Sequence, residues 1–228
     1  MPVFLLSDTI DFPPPHLASK DGLLAVGGDL NPKRLILAYR MGIFPWFSDG
    51  DPILWWSPDP RLVLYPHEIK ISRTLKKVLK KNTFSVTMDL AFDEVINQCA
   101  QVRLEKKQGT WIVEEMIDAY CKLHRSGFAH SVEVWQQGDL AGGLYGVSLG
   151  KCFFGESMFT RISNASNVAL IRLAKYLNEL SFDMIDCQVA TEHLIRFGAR
   201  KIPRTLFLKQ LKASLNAPTH RGKWEYRG

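Results

Sequence analysis

The chain has 228 residues, 46% of them hydrophobic and 23% charged, which is the balance of an ordinary soluble globular protein with room for a full core. No segment approaches the length of a membrane span, and the N-terminus lacks the basic region and long apolar stretch of a signal peptide. Four widely spaced cysteines (Cys99, Cys121, Cys152, Cys187) form no C-x-x-C pair, which excludes a zinc pattern and reads as free thiols in a reducing, cytoplasmic setting, while a formal charge of +6 favours a polyanionic partner without requiring one.

Residues 1–61 differ from the rest in their Pro, Gly and Trp content and are expected to form a small N-terminal domain. Its one clear helix starts at Asn31, a good N-cap followed by Pro32 at the first helical position, and stops before Gly42, with Leu35, Ala38 and Tyr39 on one face. The aromatic residues of Phe44-Pro45-Trp46-Phe47 and Trp55-Trp56-Ser57-Pro58-Asp59-Pro60-Arg61 stand among prolines, so this stretch is no regular helix. It reads as a rigid surface, packed on a second domain or lining a pocket.

Residues 62–228 alternate strands and helices. Leu62–Tyr65 reads as a strand, Ser72 caps a helix with Leu75, Val78 and Leu79 inward, Phe84–Met88 is a strand and Ala91–Ala100 a helix. Trp111 precedes a helix through Met116, Tyr120 and Leu123; strands follow at 129–136, 140–147 and 152–158, the last two joined by a turn at Ser148–Lys151. A helix from Ser163 or Asn164 carries Leu170, Leu173, Ala174 and Leu177 on one face, Met184–Val189 is a strand, 192–197 a turn or helix, and 205–215 a last helix before a polar, loose tail. Antiparallel strands flanked by helices give an α+β architecture.

Three groups can carry chemistry. Glu156 lies in Phe153-Phe154-Gly155-Glu156-Ser157-Met158-Phe159, where a carboxylate must be paired, hydrogen-bonded or protonated; it is either a structural ion pair or part of a site. Alternation on the strand puts Asp186 and Gln188 on one face and Ile185, Cys187 and Val189 on the other, a polar pair that can hold an amine or simply face solvent. On the helix after Ser72, Arg73, Lys76, Lys77 and Lys80 fall at i, i+3, i+4 and i+7, and no acid interrupts the run between Glu68 and Asp89. Like charges at that spacing repel unless a partner neutralises them, so phosphate-backbone binding is favoured over a merely solvated face. P-loop, dinucleotide, H-E-x-x-H and G-x-S-x-G signatures are absent, so no cofactor and no metal is expected and a substrate must arrive already activated.

Phe44-Pro45-Trp46-Phe47, Trp55 to Arg61, Gly109-Thr110-Trp111-Ile112, Gly143-Leu144-Tyr145-Gly146, Phe154 to Phe159 and Asp186-Cys187-Gln188 together resemble the leucyl/phenylalanyl-tRNA–protein transferases in order and spacing, from about Leu23 to Arg204. The resemblance implies an acetyltransferase (GNAT)-like fold for residues 62–228. It also implies transfer of Leu or Phe, less well Met, from Leu-tRNA or Phe-tRNA to the α-amine of proteins beginning with Arg or Lys, marking them for N-end-rule degradation without ATP. It places Asp186, Gln188 and Glu156 in the catalytic centre. A relay through Gln188 and Asp186 is then expected to take the amine's proton, with Glu156 holding a basic acceptor or the donor's amino group. Phe153, Met158, Leu170 and Ile185 are candidates for the aminoacyl pocket and Trp46 and Trp111 for stacking on the 3′-terminal adenosine, with ordinary core or interdomain packing as the alternative for each. A monomer without membrane attachment is expected. The competing expectation, a GNAT-type enzyme using acetyl-CoA, needs a glycine-rich pyrophosphate loop, and Phe159 to Ser166 contains no glycine.

Overall fold

The computed structural model describes residues 3–105 and 111–226, so Gly109 and Thr110 of the Gly109-Thr110-Trp111-Ile112 motif lie outside the described residues. The first sheet has four strands, β1 (Phe4–Leu6), β2 (Leu23–Gly27), β3 (Phe44–Pro45) and β4 (Leu54–Trp56), in the order β1-β2-β4-β3. Helix α1 (Pro32–Arg40) begins as its sequence predicts: the Asn31 side chain accepts from the Lys33 amide, and Pro32 occupies the first turn, where no intrahelical partner for an N–H exists. The aromatic, proline-rich run is therefore a short hairpin, β3 against β4, with Trp55 fully buried and its indole N–H donating to the Gly27 carbonyl at 2.9 Å.

A second, seven-stranded sheet follows β5 (Arg61–Leu64), β6 (Ser85–Met88), β7 (Ala129–Gln136), β8 (Asp139–Leu149), β9 (Cys152–Thr160), β10 (Met184–Gln188) and β11 (Arg200–Ile202), in the order β11-β5-β10-β9-β8-β7-β6. Every neighbouring pair is antiparallel except β9 and β10, which run parallel because α5 (Ala165–Glu179) carries the chain back across the sheet between them. The remaining helices are α2 (Arg73–Lys81), α3 (Phe92–Glu105), α4 (Glu114–Arg125), α6 (Glu192–Arg196) and α7 (Arg204–Ser214).

Strand alternation divides the core in two. Tyr145, Val147 and Leu149 of β8 face a core shared with α1, α3, α4, α7 and the first sheet, whereas Leu144 faces a second core built on α5. The change of sheet falls between Trp56 and Arg61, yet the first core runs unbroken from Leu24 and Trp55 to Phe154 and Phe207.

Four features differ from expectation. Helix α3 continues to Glu105 rather than ending near Ala100, and β8 runs on through Ser148 and Leu149, so the turn narrows to Gly150 and Lys151, with Gly150 at φ +56°. Strand β11 has only three residues and pairs with β5, a contact too short to leave a period in the sequence. The C-terminal tail is not loose: Trp224 is 1% exposed, its ring stacks on His130 at 3.8 Å, and its backbone N–H donates to Asp89 at 2.7 Å.

Candidate active site

Two local departures from regular sheet place Glu156. In the β8–β9 ladder Tyr145 pairs with Ser157 and Gly146 with Gly155, which leaves Glu156 as the extra residue of a β-bulge that re-aims its side chain. Gly146 permits the approach, because a Cβ there would lie 2.2 Å from the Phe154 carbonyl oxygen. One step away, the parallel pairing of β9 with β10 ends at Phe154 and Asp186. Past that point the strands part, and a cavity of about 450 Å³ opens beside Gly155, Glu156 and Gln188.

Glu156 is held from three sides. Its Oε1 accepts from the Tyr39 hydroxyl at 2.8 Å and from the Gln188 side-chain amide at 2.9 Å, and its Oε2 accepts from the Tyr120 hydroxyl at 2.8 Å. The two hydroxyls also hydrogen-bond to each other. Burial lifts the carboxyl group from 4.5 to about 7 against the pull of these three donors, with the Asp186 charge adding to the rise. Burial, reinforced by Glu156, likewise keeps Tyr39 and Tyr120 protonated far above their ordinary value.

Asp186 is fully buried and engaged elsewhere. Its two oxygens accept from Arg61 Nε at 2.8 Å and Nη2 at 2.7 Å, a bidentate fork with the guanidinium lying between the Phe44 and Phe207 rings, 4.7 Å from each centroid. Its Oδ1 also accepts from the Gln188 backbone N–H at 2.9 Å, where the β10–β5 register shifts and Gln188 takes φ +60°. The strand does bring Asp186 and Gln188 together, but Asp186 touches the backbone of Gln188 while the Gln188 amide turns to Glu156. The carboxylate–amide contact is thus Glu156 with Gln188.

The cavity takes its walls from both cores. Leu170, Leu173, Phe153, Ile185, Met158 and Leu144 come from the second core, Phe44 and Trp111 from the first, and Trp46 lies against Trp111. All six residues expected for aminoacyl or adenosine contacts therefore line one space. Trp46 meets Trp111 edge-on, with centroids 6.0 Å apart, and Arg103 lies over the Trp111 ring at 3.7 Å. Sequence reasoning missed Tyr39 as a polar group, Tyr120, Arg61, Arg103 and Tyr145; a tyrosine on an amphipathic helix face gives no signal beyond that of a core residue. The basic stripe sits apart from the cavity. Arg73, Lys76, Lys77 and Lys80 are all exposed on α2, line no part of the cavity and make no ion pair among the described residues, and α2 itself packs on α5.

Comparison with known proteins places the chain in a family. The model of the leucyl/phenylalanyl-tRNA protein transferase family matches residues 63–212, and that of the family's N-terminal domain matches residues 28–59. The leucyl/phenylalanyl-tRNA–protein transferases of Desulforapulum autotrophicum and Syntrophobacter fumaroxidans are similar to this chain: 56% identical over all of both chains, and 57% identical over 99% of this chain and 96% of the relative. That of Myxococcus xanthus is 54% identical over 98% and 97%. Among solved structures, L-PGS from Bacillus licheniformis covers 88% of this chain and 66% of its own at 11% identity and a TM-score of 0.41. An aminoglycoside acetyltransferase from an uncultured soil metagenomic sample covers 52% and 86% at 9% identity and a TM-score of 0.41. The chain is an enzyme, an aminoacyl-group transferase. It belongs to the leucyl/phenylalanyl-tRNA–protein transferase family. No described helix is long and apolar enough to cross a membrane.

Proposed function

We propose that this enzyme moves Leu or Phe, and less well Met, from aminoacyl-tRNA to the N-terminal α-amine of proteins beginning with Arg or Lys, so marking them for N-end-rule degradation. The observation that carries the reading is the Glu156–Gln188 corner set at the end of an apolar cavity. The Leu170, Leu173, Phe153 and Ile185 side takes the donor's apolar side chain, and because such a slot separates neighbouring sizes by only about 1–3 kcal/mol, it accepts more than one amino acid. The 3′-terminal adenosine stacks on Trp46 or on the face of Trp111 that Arg103 leaves open.

With its Nε2 committed to Glu156, Gln188 offers its amide oxygen to an N–H of the neutral acceptor amine and so aims the nitrogen lone pair at the ester carbonyl. The new C–N bond forms as the bond to the ribose 3′-oxygen breaks, and the amine's proton ends on that leaving oxygen. An ester becomes a more stable amide, so no ATP is spent. Asp186, saturated by Arg61, acts as a positioning residue that fixes the Gln188 backbone, and the roles of relay and orienting group pass to the Glu156 carboxyl group. A basic first residue in the acceptor is favoured because its cation would lower the raised pKa of Glu156 and pair with the carboxylate so formed, whereas the Asp186 charge is already matched by Arg61. Arg73, Lys76, Lys77 and Lys80 hold the tRNA backbone. The GNAT-like fold of residues 62–228 and a monomer in the cytoplasm complete the reading; the parting of parallel strands β9 and β10 at the cavity supports the first.

The test is transfer of labelled Leu from Leu-tRNA to a peptide with N-terminal Arg, in buffer without ATP. Transfer is expected, with little when the peptide begins with Glu. Folded protein that leaves the peptide unlabelled but turns over acetyl-CoA would overturn the reading; against that outcome, α5 starts at Asn164 in a left-handed conformation without any glycine-rich loop.

A further inference from the structure

Arg103 projects from the last turns of α3 into the cavity wall, without an acidic partner among the described residues. No described carboxylate forms an ion pair with it, and residues 106–110 contain no Asp or Glu. Its guanidinium is half-buried against the Trp111 ring at 3.7 Å, and its Nε is buried with no hydrogen-bond acceptor. Partial desolvation lowers its pKa, the mark of a cation lacking a compensating anion. Beside it on β8, Tyr145 is fully buried, lines the same cavity, and has a hydroxyl without a partner. The two groups are close enough for each to perturb the other's titration. Two donors left unsatisfied on one wall are costly unless something that enters the cavity accepts from them, since each unpaired buried donor costs about 1–3 kcal/mol.

We infer that Arg103, assisted by Tyr145, is the anion site of the donor-binding cavity and receives the phosphodiester of the tRNA 3′-terminal nucleotide. This rests on the donor being an aminoacyl-tRNA. A guanidinium carries its charge at all times and so calls for a group that is anionic in the bound ground state. The aminoacyl ester is neutral until attacked, whereas the phosphate on the 5′ side of the terminal adenosine is a full anion and matches the planar fork of Arg. Trp111 ties this to base binding: Arg103 covers one of its faces, so adenosine on the other face and phosphate at its edge are read by one rigid unit. The pair would register the terminal nucleotide, whereas the α2 stripe holds the body of the tRNA.

The experiment compares leucyl-adenosine with leucyl-adenosine bearing a 5′-phosphate as donors, in native protein and in Arg103→Gln, with thermal unfolding confirming that the variant is folded. In the native protein the phosphate is expected to raise kcat/KM about tenfold or more, the scale of one charge-assisted hydrogen-bonded pair, and in Arg103→Gln that ratio falls towards one while Arg103→Lys recovers part of it. Tyr145→Phe lowers the ratio less. Equal losses with both donors, as a purely structural or oxyanion-binding role would give, overturn the inference. So does an effect that follows only an acidic second residue in the acceptor peptide. Calorimetric binding of adenosine 5′-monophosphate against adenosine supplies a readout independent of transfer. A phosphate preference that Arg103→Gln abolishes, in a protein that transfers nothing, upholds the anion site and discards the proposed reaction; no preference in the native protein discards the site alone.

Discussion

Glu156, Tyr39 and Tyr120 make three oxygen-to-oxygen contacts, and their protons can be counted. With the carboxyl group ionised, each hydroxyl proton is spent on one carboxylate oxygen, and the contact between the two hydroxyls has none. With the carboxyl group protonated, three protons serve three contacts around a ring. Geometry and burial therefore agree on a carboxyl group that stays neutral up to about pH 7. Because the folded protein holds this proton more tightly than the unfolded chain, the stabilisation is whole below about 4.5 and is lost as pH rises through about 7. The free energy of unfolding is expected to fall between pH 5 and pH 8 by ~1–2 kcal/mol more in the native protein than in Glu156→Gln, the figure being reduced for solvent that reaches the cavity. Denaturant titrations at the two pH values measure it, and identical pH slopes would refute the proton count. The carboxyl group was conspicuous in the sequence because it stood among apolar residues. Its partners were not, because Tyr39 lies 117 positions away and Arg61 lies 125 positions from Asp186, and no local spacing encodes either meeting.

At the scale of elements, what was legible had a short-range cause. α1 and α2 carry caps that act within three residues, and β7 shows its length by composition, so their bounds were close to those observed. The bulge at Glu156 and the parting of β9 from β10 arise from pairing between strands, so the sequence showed the two strands but not the opening between them. Helix α2 has no buried residue and, among the described residues, no ion pair to explain its basic face, and Arg73 with Lys77, and Lys76 with Lys80, repel at i,i+4. Changing Arg73, Lys76 and Lys77 to Gln is expected to weaken aminoacyl-tRNA binding at least tenfold and to reduce the slope of log affinity against log salt by about 2–3, near one unit for each phosphate no longer neutralised. The thermal midpoint should hold or rise as the repulsion is relieved. A salt series on the triple variant decides the matter: an unchanged slope takes α2 out of the tRNA interface.

Across the whole molecule the cavity is a product of both sheets and both cores, which makes distant anchoring relevant to the site. The first sheet supplies Phe44, with Trp46 just past the end of β3, α3 supplies Arg103, and the second core supplies Phe153, whose ring also packs against Trp224 with centroids 5.8 Å apart. Trp224 in turn is stacked on His130, and Asp89 ties the two together by accepting from the Trp224 backbone at 2.7 Å and bonding His130 at 2.8 Å. The tail was unreadable because one tryptophan among polar residues has no period, and its partner Asp89 is 135 positions away. Trp224→Ala would remove the centre of an aromatic cluster with Tyr176, Phe182 and Phe153, and the hole lies between strands and helix that cannot collapse together. A loss of ~3–5 kcal/mol in unfolding free energy is expected, the range for a large aromatic deleted from a packed core. A freed Phe153 would also widen the donor pocket, so the variant should discriminate less between Leu and a smaller donor such as Val. Unfolding by urea gives the first number and paired transfer assays the second. A cost under about 1 kcal/mol would mean that the tail rests on the second core without holding it together.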